Sequence, residues 1–209
     1  QEFLQMENCT GTYTHFEIAN DIDFSDSTNA SVWAASTQTI TKFNGVLNGM
    51  GKALRNITIS KSTDRFGDGT GLTQAMFTEV SGTADRPAVI ENIDLVGFEL
   101  PELSPTQKLL DSSLIGFSTG NLRLSGVSIL GADIDAHARN VGTVIGTYSG
   151  ANTAADTISL TDINVQAKIS ASRASDGNTG GLAGLIQNHS SLQVSNAAVR
   201  VEFESLVSG

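Results

Sequence analysis

Five stretches, LRNITI (54–59), IENIDL (90–95), LSGVSI (124–129), LTDINV (160–165) and VSNAAV (194–199), share one pattern: apolar, any, Asn or Asp or Gly, apolar, any, apolar. Their fourth positions are Ile57, Ile93, Val127, Ile163 and Ala197, which follow one another at steps of 36, 34, 36 and 34 residues. A beat this constant over more than half a chain is the signature of a repeat architecture, in which each unit buries its apolar side against the next.

A second element recurs between these stretches at less regular spacing: QAMFTEV (74–80), SSLIGFS (112–118), GTVIGTY (142–148) and GGLAGLI (180–186). Two strand-like elements per repeat, with no amphipathic helix between them, do not build the βαβ units of ordinary parallel sheets. A chain that winds into coils and stacks each coil on the last satisfies the pattern. The spacing therefore predicts an all-β fold, a parallel β-helix (β-solenoid) with repeats of about 35 residues, as one domain over residues 1–209. Alternation directs Ile57 and Ile59, Ile93 and Leu95, Val127 and Ile129, and Ile163 and Val165 into its core. The third positions, Asn56, Asn92, Gly126, Asp162 and Asn196, are residues that accept a left-handed backbone at a corner, and in register they would stack as a polar turn ladder.

Composition agrees. Of 209 residues 39% are hydrophobic and only 16% charged, with 21 Gly against 3 Pro, a balance that excludes both a disordered and a collagen-like chain. Asp and Glu number 22 against 12 Lys and Arg, a formal net charge of -10. Nucleic acid and anionic membrane surfaces need the opposite sign and are not expected partners. Cys9 is the single cysteine, so neither an internal disulfide nor a thiolate zinc site can form. No run approaches the roughly 18 apolar residues of a membrane span, and QEFLQMENCT (1–10) lacks the features of a signal peptide. We expect a fragment of a larger exported protein whose signal lies elsewhere.

The residues resemble a known family, the GLUG-motif repeats of large bacterial surface and secreted proteins. EFLQM (2–6), GTYTHFEIANDIDFS (11–25) and FNGVLNGMGKALRNITIS (43–60) look like that family's entry pattern, and GGLAGLI is similar to its Gly-Gly-Leu-x-Gly element. LIG and VIG are weaker copies, and QAMFTEV lacks the glycine. The resemblance covers essentially the whole chain. It implies a right-handed β-helix that serves as an adhesin-like stalk or interaction module, extracellular or at the cell surface. It also implies kinship with the non-catalytic part of metallopeptidases that cleave immunoglobulin A.

No catalytic constellation is legible, and no cofactor is expected. His15, His137 and His189 are far apart and no His-Glu-x-x-His or Gly-x-Ser-x-Gly occurs. GDGTGL (67–72) lacks the Lys of a phosphate loop and reads as a plain loop. The serious enzyme alternative is a carbohydrate-active β-helix, for which paired carboxylates are required about 5 to 10 Å apart. Asp133 and Asp135 in GADIDAH (131–137) share a strand face, as do Asp21 and Asp23; their plain reading is a solvated face around Ile134, and turn bonding around Ile22. Asp21, Asp23 and Asp26 are weak candidates for calcium, without the EF-hand spacing. Trp33, in SDSTNASVWAASTQT (25–39), either stacks on a sugar or partner from a loop or seals the open end of the first coil. A host or matrix protein or a glycan is expected on the variable loops, such as 99–107 and 171–178. The sequons at Asn8, Asn29, Asn56 and Asn188 match chance in a chain so rich in Ser and Thr.

Overall fold

The computed structural model describes residues 3, 6, 13–103, 109–151, 153–154, 156–171 and 177–205. Asn8, Cys9 and parts of the loops 99–107 and 171–178 lie outside them. The strands run in chain order as β1 (His15–Glu17), β2 (Ile22–Asp23), β3 (Ile40–Phe43), β4 (Val46–Arg55), β5 (Thr63–Asp64) and β6 (Leu72–Ser81). They continue as β7 (Ala88–Val96), β8 (Glu99–Leu100), β9 (Leu109–Thr119), β10 (Leu122–Ala136) and β11 (Ala138–Gly142). The last are β12 (Ile145–Ser149), β13 (Thr157–Ala171), β14 (Asn178–Gly180), β15 (Ala183–Gln187) and β16 (Ser191–Ser205). One helix, α1 (Ser27–Ala35), interrupts them.

Two sheets result. The first runs β1-β4-β7-β10-β13-β16, with β2 on β4 and β8 on β10; the second runs β14-β11-β9-β12-β15 and extends through β6 to β3 and β5. Every pairing is parallel except the short β5–β6 contact. The chain is thus a β-solenoid in which the two elements of each repeat feed alternate sheets.

Register confirms the repeat over its last three steps. Ile93 pairs with Val127, Val127 with Ile163 and Ile163 with Ala197. Inward columns such as Ile90, Leu124 and Leu160, or Leu95, Ile129 and Val165, are buried, each side chain contributing about 1.5–3 kcal/mol.

The first step differs from expectation. Ile93 pairs with Lys52, and Leu95 with Leu54, after a register shift between Asn48 and Lys52. Ile57 lies further along the coil, where its carbonyl accepts from the Glu99 amide at 2.8 Å. The physical reason is that a coil turns more than one left-handed corner, and the six-residue pattern fits each of them. Asn92, Gly126, Asp162 and Asn196, with φ between 50 and 60°, form one corner line. Asn56 (φ 57°) belongs to a second line with Gly97 (φ 67°). A Cβ on Gly97 would stand 3.1 Å from Asn56 Oδ1, and one on Gly126 2.9 Å from Asn92 Oδ1, so glycine there lets an amide side chain stack beneath it. The polar ladder is real at its end, where Asn196 Nδ2 donates to Asp162 Oδ1.

The glycines of the second element have a separate cause. Gly116 and Gly146 sit where a strand folds back on the coil before it; an added Cβ would lie 2.2 Å from Thr73 Cγ2 and 2.8 Å from Asp111 Cβ respectively. In QAMFTEV that position is Thr78, whose hydroxyl lies 2.9 Å from the Thr39 hydroxyl.

Candidate functional site

The long strands β10, β13 and β16 lay a column of charge along the outer surface of the first sheet. Glu99 pairs with Asp133, Asp133 with Lys168 and Lys168 with Glu202; beside it, Asp135 pairs with Ser170 and Ser170 with Glu204. Alternation places Ile134 in the core and leaves Asp133 and Asp135 on the outer face. Lys168 Nζ meets Glu204 Oε2 at 3.0 Å, and this hydrogen bond, with the Glu204 charge, holds the ammonium above the usual lysine range. Burial pushes the Asp135 carboxyl up, and the Glu102 and Asp133 charges add to it. A shallow groove runs over this patch between Asp133, Gln166, Lys168, Arg200 and Glu202. Strands about 4.8 Å apart put Asp133 and Glu202 about 10 Å from one another, with the Lys168 row between them. The surface presents charges of both signs to water.

The three acids weighed for calcium each make local bonds. Asp21 Oδ1 accepts from the Ala53 amide at 3.0 Å, and its Oδ2 lies 3.6 Å from Arg55. Asp23 Oδ1 accepts from Asn56 Nδ2 and from both the amide and hydroxyl of Ser25, bonds that hold its carboxyl below the ordinary range. Asp26 caps α1, accepting from the amides of Thr28 and Asn29. Among the described residues, no three His, Cys, Asp or Glu side chains group as a metal site.

Trp33 stands on α1, where a loop was expected. Asp26 starts the helix, and Lys61 Nζ stops it by donating to the carbonyls of Ala34 (2.8 Å) and Ser36 (2.6 Å). The indole is buried at 5% exposure, its Nε1 donates to the Thr58 carbonyl at 2.8 Å, and its ring meets Phe24 edge-on at 5.0 Å. It closes the first coil, and with Phe16, Ile18, Phe24 and Leu47 it lines a hollow of about 700 Å³ at that end.

Sequence reasoning missed one cluster. Asp111, fully buried on β9, accepts from Thr147 Oγ1 at 2.5 Å and Asn140 Nδ2 at 3.5 Å. Arg65, on the loop after β5, reaches over the second sheet with its guanidinium 3.8 Å from the Phe117 ring and its Nη1 3.6 Å from Asp111 Oδ2. Burial outweighs these partners and pushes the Asp111 carboxyl up to about 6. The one local signal is an acid inside LLDSSLIG (109–116); its partners come from other coils. The loop is ordered by Asp64, whose carboxylate accepts from the amides of Phe66 and Gly69, and by Asp68, which accepts from Thr70. GDGTGL is thus a loop, as expected.

No family model matches the chain, and neither a curated protein nor a solved structure matches it.

Proposed function

We propose that the chain is a non-catalytic β-solenoid module of a bacterial surface or secreted protein, an adhesin-like stalk that adds length, stiffness and a polar interaction surface. The observation that carries this reading is the parallel pairing of β7, β10, β13 and β16 in sequence, with one register shift, between Leu130 and Ala132. Each coil there is held by backbone hydrogen bonds along a full strand, so stiffness arises without disulfides or a wide core. The left-handed corner line through Asn92, Gly126, Asp162 and Asn196 and the aligned glycines Gly116 and Gly146 keep successive coils in step. The partner is a glycan or a host or matrix protein that engages the variable loops and the outer face with Asp133 and Asp135.

The test is a glycan and matrix-protein binding screen run beside a polysaccharide-degradation assay, on the parent and on Asp133→Asn and Asp135→Asn. Binding without turnover, weakened by either variant, is the expected result. Turnover abolished by Asp135→Asn would overturn the reading in favour of a carbohydrate-active enzyme.

A further inference from the structure

We infer that the free edge of β16 is the contact surface for a second copy of this chain, the two β16 strands lying antiparallel about a two-fold axis at Val201. The inference rests on the fold and is independent of the stalk's partner. Among the described residues β16 has β13 on one side and no strand on the other, and an unpaired edge of this length is a template for strand addition. Its inward side chains continue columns that the coil below buries. Val199 stands on Val165 and Phe203 on Ile169; Val199 and Phe203 are 43 and 56% exposed, against 1% for each residue beneath them.

The order of residues along β16 selects the register. The corner at Asn196 shifts the alternation, so the inward residues are Leu192 and Val194 before it and Ala197, Val199, Val201 and Phe203 after it, each above a buried residue of β13. Directly opposed residues of an antiparallel pair share a face. Centring the pair on Ala198, the middle of the whole strand, would set the outward Glu202 and Glu204 against the inward Val194 and Leu192. Centring it on Val201, the middle of the segment from Ala197 to Ser205 that follows the corner, matches every face. Val201 then meets the partner's Val201, Val199 the partner's Phe203, and Glu204 the partner's Ala198. Arg200 meets the partner's Glu202, and Glu202 the partner's Arg200, so an ion pair forms on each side of the axis between residues whose Cα atoms are about 4.5–5.5 Å apart. Within its own chain Arg200 makes no ion pair among the described residues. The assembly closes at two copies, because the other end of the stack offers only the short edges of β1 and β2 beside α1 and the buried Trp33. One strand pairing is small beside the roughly 1,200–2,000 Å² of stable complexes, and a net charge of -10 on each chain opposes the approach. The dimer is therefore weak, dissociating at about 10–100 μM, and the dilute chain keeps an open edge.

Sedimentation equilibrium of the 209-residue chain from about 1 to about 500 μM tests this. The expected result is a reversible equilibrium between monomer and dimer. Arg200→Glu and Glu202→Arg each oppose like charges across the axis, and each variant measured alone should associate at least about tenfold more weakly than the parent. Mixed in equal amounts, the two variants should associate as the parent does, since every altered side chain then faces its opposite charge. Val199→Asp should abolish the dimer, whereas Val194→Asp, on the other side of the corner, should leave it intact. A chain that stays monomeric throughout, assemblies larger than a dimer, or dimers indifferent to Arg200→Glu and to mixing would overturn the inference.

Discussion

The two ends of this solenoid solve the same problem in opposite ways. At the N-terminal end, α1 brings Trp33 against Phe24 and under the Thr58 carbonyl, which buries the indole beside the hollow that opens there. At the C-terminal end, β16 repeats the inward pattern of β13 residue for residue and leaves it in solvent. A one-dimensional core can be closed only by sequence that departs from the repeat, and α1 is such a departure. Energetic weight should follow: the same kind of substitution costs much at one end and little at the other.

Trp33→Ala should therefore destabilise the chain by about 3–5 kcal/mol, whereas Phe203→Ala on the open edge should change stability by less than about 0.5 kcal/mol. Urea unfolding of both variants measures this, and equal costs would break the contrast between a closed and an open end. The covered middle of the stack sharpens the same contrast through pH. Asp111 has a folded-state carboxyl pushed up to about 6 against an ordinary value of 3.8, so the native state holds a proton that the unfolded chain has released. Its contribution is fully present below about pH 4 and is lost as pH rises through about 6, a change of about 3 kcal/mol at 1.36 kcal/mol per pH unit. Asp111→Asn should flatten that fall when urea midpoints at pH 4.5 and 7.5 are compared with the parent. An unchanged pH profile would mean that water reaches this carboxylate. A smaller effect than that of Trp33→Ala belongs to the corner line. Asn92→Ala, at φ 53° and flanked by coils on both sides, should cost about 1–2 kcal/mol, and Asn196→Ala, at φ 50° on the open edge, somewhat less. Melting temperatures rank the pair.

Much of this architecture is legible in local sequence because its determinants are local. An Asn, Asp or Gly between apolar positions marks a left-handed corner whatever surrounds it, and the corners at Asn56, Asn92, Gly126, Asp162 and Asn196 all have positive φ. Alternation likewise predicts that Ile134 turns inward and that Asp133 and Asp135 share the outer face. The identical local signal misleads about the first step, since Asn56 and Asn92 look alike and stand on different corner lines. Which line an asparagine joins depends on how many residues the preceding coil takes to come round.

The period, the corners and the inward columns were determined by sequence alone, because each is set by a residue's own backbone preference or by spacing along the chain. The pairing of Lys52 with Ile93, the helix that carries Trp33 into the core and the meeting of Arg65 with Asp111 were decided only by the tertiary structure. All three depend on segments from different coils arriving at one place. Coil length and loop path govern that arrival, and no pattern within a single coil encodes them.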